Sequence, residues 1–145
     1  MIKYRKPYIT YKNYKATYSE NGKGILKMKL LIAGSRSIDN IELFEYIPKG
    51  VTLIISGGAN GVDSLAEKYA DSKRISKLIL RPDYQKYGKS APLKRNTVMV
   101  DLADTVLVVW DGKSKGTKYT IDYAKKKGKN MVLVMYRSKE LSVVE

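Results

Sequence analysis

The sequence predicts an α/β fold, doubly wound, in which a parallel sheet of about five strands carries helices on both faces. Three observations lead to this fold class. Short apolar runs alternate with amphipathic helical patterns from residue 29 onward. These runs are apolar at successive positions, as in strands that are covered on both sides. A length of 145 residues suits one compact domain with a proper core.

The first element is a basic, tyrosine-rich N-terminal extension over residues 1–28, expected to lie outside the domain formed by residues 29–145. It holds seven basic side chains, one acidic side chain and five of the 12 tyrosines. Pro7 and the tyrosine, threonine and isoleucine content favour an extended chain, whereas the tyrosine spacing resembles a helix face. An arm docked on protein and an arm that contacts nucleic acid both fit this composition. Residues 21–24, Asn-Gly-Lys-Gly, predict a turn or hinge.

The remaining elements alternate between strands and helices. Apolar runs predict strands at residues 30–33, 51–56, 77–80, 105–110 and 131–136. Helical patterns occupy residues 40–46, 62–72, 92–103 and 117–127. In the second helix, Asn60 is the predicted N-cap and Asp63 holds the acidic position of a capping box.

The composition excludes several function classes. The chain has no cysteine and no histidine, which rules out disulfides, thiolate nucleophiles, Ser/His/Asp catalysis and zinc centres. No apolar run approaches the roughly 20 residues of a membrane helix and no secretory leader is visible, so a cytoplasmic protein without a membrane partner is expected. The formal net charge of +14 favours polyanionic partners, although a lysine-rich solvated surface explains it equally well.

A glycine-rich turn follows the second predicted strand and reads Gly57-Gly58-Ala59-Asn60-Gly61. Glycines permit positive φ and a close approach to an anion, and the helix that follows directs free N–H groups toward it. The pattern departs from the G-x-G-x-x-G of dinucleotide-binding turns. A phosphate cradle and a plain tight turn both remain open.

Other segments follow strands and should meet this turn, because ligands of open α/β sheets bind at the carboxyl ends of the strands. They are Gly34-Ser35-Arg36, residues 82–92 and residues 111–117. Residues 82–92 are predicted to act as a mobile flap that carries Tyr84, Tyr87 and Lys89. Gly116 and Thr117 suggest a second cradle, in which Thr117 caps the next helix or binds a ligand oxygen.

Arg95 and Asn96 are expected in the first turn of the helix at 92–103. A cation there opposes the helix dipole, so we interpret Arg95 as a clamp for a phosphate or carboxylate group. The alternative is a structural salt bridge from Arg95 to Asp101 or to a neighbouring loop.

Taken in order, these motifs resemble the YspA-like branch of the SLOG superfamily, a Rossmann-like group that also contains the LOG phosphoribohydrolases and DNA-processing protein A. The resemblance spans residues 29–136 approximately. The residues that carry it are Gly34-Ser35-Arg36, Ser56-Gly57-Gly58-Ala59 with Gly61, Asp63 and Ala66, Gly88-Lys89 with Ala91, Pro92, Arg95 and Asn96, Ala103-Asp104, Trp110-Asp111-Gly112, Ser114 with Gly116 and Thr117, and Ala124 with Gly128. It implies a nucleotide-type ligand, no further cofactor or metal, and, by analogy, a homo-oligomer.

The branches of this group differ in their chemistry. The LOG enzymes carry an arginine followed four residues later by methionine, and then P-G-G-x-G-T-x-x-E. Arg95 and Met99 match the first part, and Gly116-Thr117 match the core of the second. Thr120 stands where the catalytic glutamate belongs and P-G-G is missing, so the sequence leaves open whether the protein is an enzyme.

The leading interpretation is the binding, or sensing, of a nucleotide or nucleotide-derived ligand. The residues assigned to that site are Gly34, Ser35, Arg36, Gly57, Gly58, Ala59, Asn60, Gly61, Asp63, Arg95, Asn96, Gly116 and Thr117. One alternative is single-stranded nucleic-acid binding similar to that of DNA-processing protein A, aided by the N-terminal arm. The other is an N-glycosidase or phosphoribohydrolase that acts on a nucleotide, with Asp63 or Asp111 replacing the missing glutamate.

Overall fold

The computed structural model of the chain describes the backbone of residues 2–4, 6–13, 27–136 and 141–143, with side chains over 6–13 and 27–136. The strands are β1 (Ile2–Tyr4), β2 (Tyr8–Asn13), β3 (Met28–Gly34), β4 (Val51–Ser56), β5 (Ser76–Ile79), β6 (Thr105–Trp110), β7 (Asn130–Met135) and β8 (Leu141–Val143). The α-helices are α1 (Val62–Ser72), α2 (Tyr84–Tyr87), α3 (Ala91–Leu102) and α4 (Lys115–Lys126), with 3-10 helices at Phe44–Tyr46 and Gly88–Ser90.

The main sheet has six strands in the order β2-β7-β6-β3-β4-β5. The five strands from β3 to β7 are parallel, which confirms the predicted parallel sheet. The chain runs from β3 to β4 on one side and later returns to β6 on the other, so the direction of winding switches at β3. In open α/β sheets such a switch point is where ligands bind.

The sixth strand comes from the N-terminal segment. β2 pairs antiparallel with β7 and occupies an edge that would otherwise expose unpaired backbone groups. The Lys125 ammonium lies 4.3 Å from the centre of the Tyr11 ring of β2. Part of the predicted arm is thus docked on the sheet, while Tyr14, Tyr18 and the predicted turn at residues 21–24 lie outside the described residues. β1 and β8 form a separate antiparallel pair.

The core has one layer on each face of the sheet because side chains alternate along β3. Leu30 and Ile32 pack on the α1 side, against Val62 and its neighbours in that helix. Leu31 and Ala33 face α3 and α4, where the buried residues include Met99, Val100, Ile121 and Ala124. The predicted helices on both faces are therefore present, with α1 on one side and α3 and α4 on the other.

The helix predicted over residues 40–46 is wrong. A 3-10 helix covers only Phe44–Tyr46. Ile47 precedes Pro48 and adopts an extended conformation, with φ −87° and ψ 123°, because proline disfavours the helical region for the residue before it. Buried Ile38 and Leu43 hold the preceding residues against the α1-side core.

The predicted cap of α1 is also wrong. Gly61, with φ 77°, occupies the N-cap position and no side chain caps this helix.

Residues 82–92, predicted as a flap, contain α2 and the second 3-10 helix. Asp83 caps α2 by accepting a 3.1 Å hydrogen bond from the Lys86 N–H. Among the described residues, no helix combines the length and apolar character needed to cross a membrane.

Candidate functional site

Two adjoining cavities open where β3, β4, β5 and β6 end. The first, which we call the edge cavity, has a volume of about 370 Å³ and is walled by the loops after β3, β4 and β6 and by α3 and α4. The second, the arginine cavity, has a volume of about 400 Å³ and lies between the Gly57–Asn60 turn and the residues after β5. Arg36, Ala59 and Arg95 border both cavities.

Most of the predicted site residues meet at these cavities. Those that line the edge cavity are Gly34, Arg36, Ala59, Asp63, Arg95, Asn96, Gly116 and Thr117. Gly57, Gly58 and Asn60 line the arginine cavity instead. Ser35 and Gly61 line neither: Ser35 is fully buried and its hydroxyl accepts a hydrogen bond from the Asp111 N–H at 3.0 Å.

Two of the predicted glycines are required by the fold itself. A Cβ on Gly34 would overlap the Val109 carbonyl oxygen and lie 2.7 Å from Val62 Cγ2. One on Gly61 would lie 2.6 Å from the Arg36 carbonyl oxygen, and φ at Gly61 is positive. Packing therefore explains these two glycines without a ligand. At Gly57 a Cβ would instead meet the ends of two side chains of the site, the Arg95 guanidinium at 2.7 Å and the Asp63 carboxylate at 2.9 Å.

Gly116 differs from them. It lies not in a turn, as predicted, but at the second position of α4, and a Cβ built on it would meet no atom within 4 Å. Ser114, rather than Thr117, caps this helix, since its hydroxyl accepts a 3.4 Å hydrogen bond from the Thr117 N–H. Gly116 thus lines the edge cavity without a packing reason to be glycine.

Arg95 ties the ends of two strands together. Its guanidinium donates hydrogen bonds to the carbonyl oxygens of Gly57 at 2.5 Å and Leu80 at 3.1 Å, and its Nε donates to the Asn96 side chain at 2.7 Å. Partial burial lowers the pKa of Arg95, and the nearby Asp63 charge acts in the opposite direction. Arg95 is therefore held in place at the boundary of the two cavities.

One prediction about Arg95 is wrong. Because α3 begins at Ala91, Arg95 lies in its second turn, beyond the residues most exposed to the helix dipole. Of the two structural alternatives, Asp101 is not its partner, whereas neighbouring loops are, through the carbonyl oxygens of Gly57 and Leu80. Asp101 instead accepts a 2.8 Å hydrogen bond from the Tyr123 hydroxyl.

Asp63 is a buried carboxylate, only 6% exposed, on the wall of the edge cavity. Its Oδ2 accepts a 3.1 Å hydrogen bond from the Ala59 N–H, so one backbone N–H group of the glycine-rich turn is already bonded to the protein. Desolvation raises the pKa of Asp63, and this outweighs the lowering by the Ala59 hydrogen bond and the Arg95 charge. The protein thus keeps a carboxylate where its charge is disfavoured.

Asp111 belongs to the same cavity but has the opposite electrostatic environment. Its Oδ1 accepts hydrogen bonds from the N–H groups of Lys113 and Ser114, both at 2.8 Å, and its Oδ2 accepts one from the Ser37 hydroxyl at 2.8 Å. Partial desolvation raises the pKa of Asp111, but the hydrogen bonds from Ser114 and Lys113 outweigh it and lower the pKa overall. One carboxylate is thus biased toward the protonated form and the other toward the ionised form.

The Asp63→Asn variant should differ from wild type in the pH dependence of stability. A pKa that is raised in the folded state stabilises the fold below the unfolded value near 3.8, and this stability is lost as the pH rises through the folded pKa. As the pH rises from the unfolded to the folded pKa of Asp63, the unfolding free energy of Asp63→Asn should therefore increase relative to that of wild type. The expected increase is about 1.4 kcal/mol per pH unit. Urea unfolding of both proteins from pH 3.5 to 8 measures it, and a difference that stays constant with pH would contradict the raised pKa.

Sequence reasoning missed Arg81 as a site residue. Arg81 lines the arginine cavity and stands just beyond β5, at the edge where the other strands end. The position of Arg81 after a predicted strand could have identified it from the sequence, because residues that follow parallel strands meet at one edge of the sheet. Thr120 also lines the edge cavity and donates a 3.2 Å hydrogen bond to the Gly116 carbonyl oxygen.

Comparison with known proteins gives one informative match. The chain is 33% identical over 114 residues to the Gene 61 protein of Mycobacterium phage D29, and the match spans 69% of this chain and 90% of the phage protein. No protein-family model and no solved structure matches the chain. The match to the phage protein covers nearly its whole length, and on that basis the chain belongs to the same family as the Gene 61 protein of Mycobacterium phage D29.

Proposed function

We propose that the protein binds a nucleotide or nucleotide-derived ligand in the edge cavity, within a Rossmann-like domain similar to those of the SLOG superfamily. The observation that carries this proposal is the placement of Asp63 and Arg95. They are oppositely charged, both depart from their ordinary pKa, and both line a cavity at the carboxyl ends of parallel strands. Perturbed charged groups in such a cleft are typical of binding and catalytic sites.

The walls of the edge cavity suit different parts of a nucleotide. The carboxylates of Asp63 and Asp111 can accept hydrogen bonds from ribose hydroxyls. The start of α4, at Gly116, offers backbone N–H groups to a phosphate, aided by the charges of Arg36 and Arg95. Pro92, Leu93 and Met99 supply an apolar wall for a base.

Gly116→Ala tests the proposal, because Gly116 has no packing role. Alanine in place of glycine in a helix should raise the unfolding free energy by up to about 1 kcal/mol. The added methyl group would occupy the approach of a phosphate to α4, so we expect the affinity for a nucleoside monophosphate to fall by roughly tenfold, about 1.4 kcal/mol. Isothermal titration with AMP and ADP measures the affinity, and thermal unfolding measures the stability.

The matched control is Lys118→Ala, an exposed change in the same helix that does not line the edge cavity. It should leave nucleotide affinity nearly unchanged. The proposal fails if wild type binds neither AMP nor ADP, or if Gly116→Ala binds them as well as wild type does.

The two carboxylates favour a second candidate, hydrolysis of the N-glycosidic bond of a nucleotide. Asp63, whose pKa is raised, would give a proton to the departing base, and ionised Asp111 would stabilise the positive charge that develops on the ribose. Water would then add its hydroxyl to the anomeric carbon and return its proton to Asp63. Release of free base from AMP, lost in Asp111→Asn and unaffected in Lys118→Ala, would support this activity. No release above the rate without protein would exclude AMP as a substrate.

A further inference from the structure

The arginine cavity adjoins the edge cavity, and the proposed function does not yet use it. Arg36, Arg81 and Arg95 line it together with the glycine-rich turn, Pro82 and Tyr84. Among the described residues of its lining, none is acidic. The edge cavity next to it contains both Asp63 and Asp111. The lining of the arginine cavity is therefore positively charged, whereas Arg36 and Arg95 balance the two carboxylates in the edge cavity.

Two of the three guanidinium groups have unused hydrogen-bonding capacity. Arg81 is exposed and donates one long hydrogen bond, 3.4 Å, to the Gly58 carbonyl oxygen. The side chain of Arg36 is exposed and makes no hydrogen bond or ion pair with the described residues. A guanidinium carries five N–H donors in a planar fork that matches the oxygens of a phosphate. Arg36 and Arg81 are thus available to an anion.

No acidic side chain on the walls of the arginine cavity, as far as the structure describes them, balances its three arginines. Partial burial is the main cause that lowers the pKa of Arg95, and the like charge of Arg36 acts in the same direction. Asp63 compensates Arg95 from the side of the edge cavity. A polyvalent anion in the arginine cavity would relieve this repulsion and be attracted to it.

We propose that the arginine cavity holds a second phosphate group, so that the ligand is a nucleoside diphosphate or an ester of one. The nucleoside lies in the edge cavity, and the diphosphate passes Arg36 and Arg95, which border both cavities, to reach Arg81. The placement of the nucleoside rests on the proposed function. The binding of a diphosphate by the arginines does not.

The test compares wild type, Arg81→Gln and the control Lys68→Gln by isothermal titration at low salt. Lys68 is an exposed cation of α1 that lines neither cavity. The probes are AMP, ADP, inorganic phosphate and inorganic pyrophosphate. We expect ADP to bind about ten to a hundred times more tightly than AMP, as one added charge-assisted contact allows. Arg81→Gln should remove that advantage and weaken pyrophosphate by a similar factor while AMP stays unchanged, and Lys68→Gln should change nothing.

The outcomes separate this inference from the proposed function. If ADP and pyrophosphate bind Arg81→Gln as tightly as wild type, while Gly116→Ala still weakens AMP, the diphosphate site is overturned and the proposed function stands. If AMP and ADP do not bind but pyrophosphate binds and depends on Arg81, the proposed function fails and the diphosphate site stands. Because Arg81 is exposed, unchanged thermal unfolding of Arg81→Gln confirms that any loss is one of binding.

Discussion

Gly34→Ala is expected to destabilise the protein strongly, although it adds a single methyl group. Gly34 ends β3 at the centre of the sheet, between the paired strand β6 and helix α1. The new Cβ would overlap the Val109 carbonyl oxygen and crowd Val62, so either the β3–β6 pairing or the position of α1 must shift. Overpacking of this kind costs about 1–3 kcal/mol. Urea unfolding monitored by circular dichroism measures the loss.

Gly116→Ala is the matched control for this prediction. Both variants replace a glycine that lines the edge cavity, but only the Cβ at position 34 meets neighbouring atoms. Gly116→Ala should therefore be at least as stable as wild type. If Gly34→Ala unfolded at the wild-type urea concentration, the close packing of α1 against β3 and β6 would be incorrect.

The pair also shows what a sequence reveals about a glycine and what it does not. The sequence indicates that Gly34, Gly57, Gly61 and Gly116 all stand near strand ends, and that glycine allows a close approach there. Which atom lies close to each glycine depends on the tertiary structure. Gly34 and Gly57 admit atoms of the protein, whereas the space beside Gly116 is open to the edge cavity.

The alternation of strands and helices was predictable because the apolar runs of β3, β4, β6 and β7 contribute buried residues to the core on both faces of the sheet. The errors arose where one local signal competes with another. Of the helix predicted at 40–46 only Phe44–Tyr46 form a 3-10 turn, which stops at Ile47 before Pro48, and Gly61 takes the cap position that Asn60 was expected to hold. The place of β2 at the sheet edge depends on pairing with β7, more than a hundred residues away in the sequence. Local patterns contain no information on such pairing.

Arg95→Ala should combine a loss of stability with a loss of binding. The substitution leaves the carbonyl oxygens of Gly57 and Leu80 without their guanidinium donor. It also removes the positive charge that compensates buried Asp63. Each polar group left unsatisfied costs about 1–3 kcal/mol, so we expect a fall in melting temperature of several degrees. Arg95→Lys keeps the positive charge but lacks the planar fork of donors. Its melting temperature should therefore lie between those of wild type and Arg95→Ala.

Combining Arg95→Ala with Asp63→Asn separates the structural role of Arg95 from its role toward a ligand. Without a charge at position 63, the loss of Arg95 leaves no uncompensated carboxylate, so part of the unfolding free energy should return in the double variant. Nucleotide affinity should stay below that of the Asp63→Asn single variant, because the guanidinium at the boundary of the two cavities is still absent. If stability and affinity recovered together, Arg95 would only position the glycine-rich turn, and the ligand's anionic groups would have to be bound by Arg36, Arg81 and the start of α4.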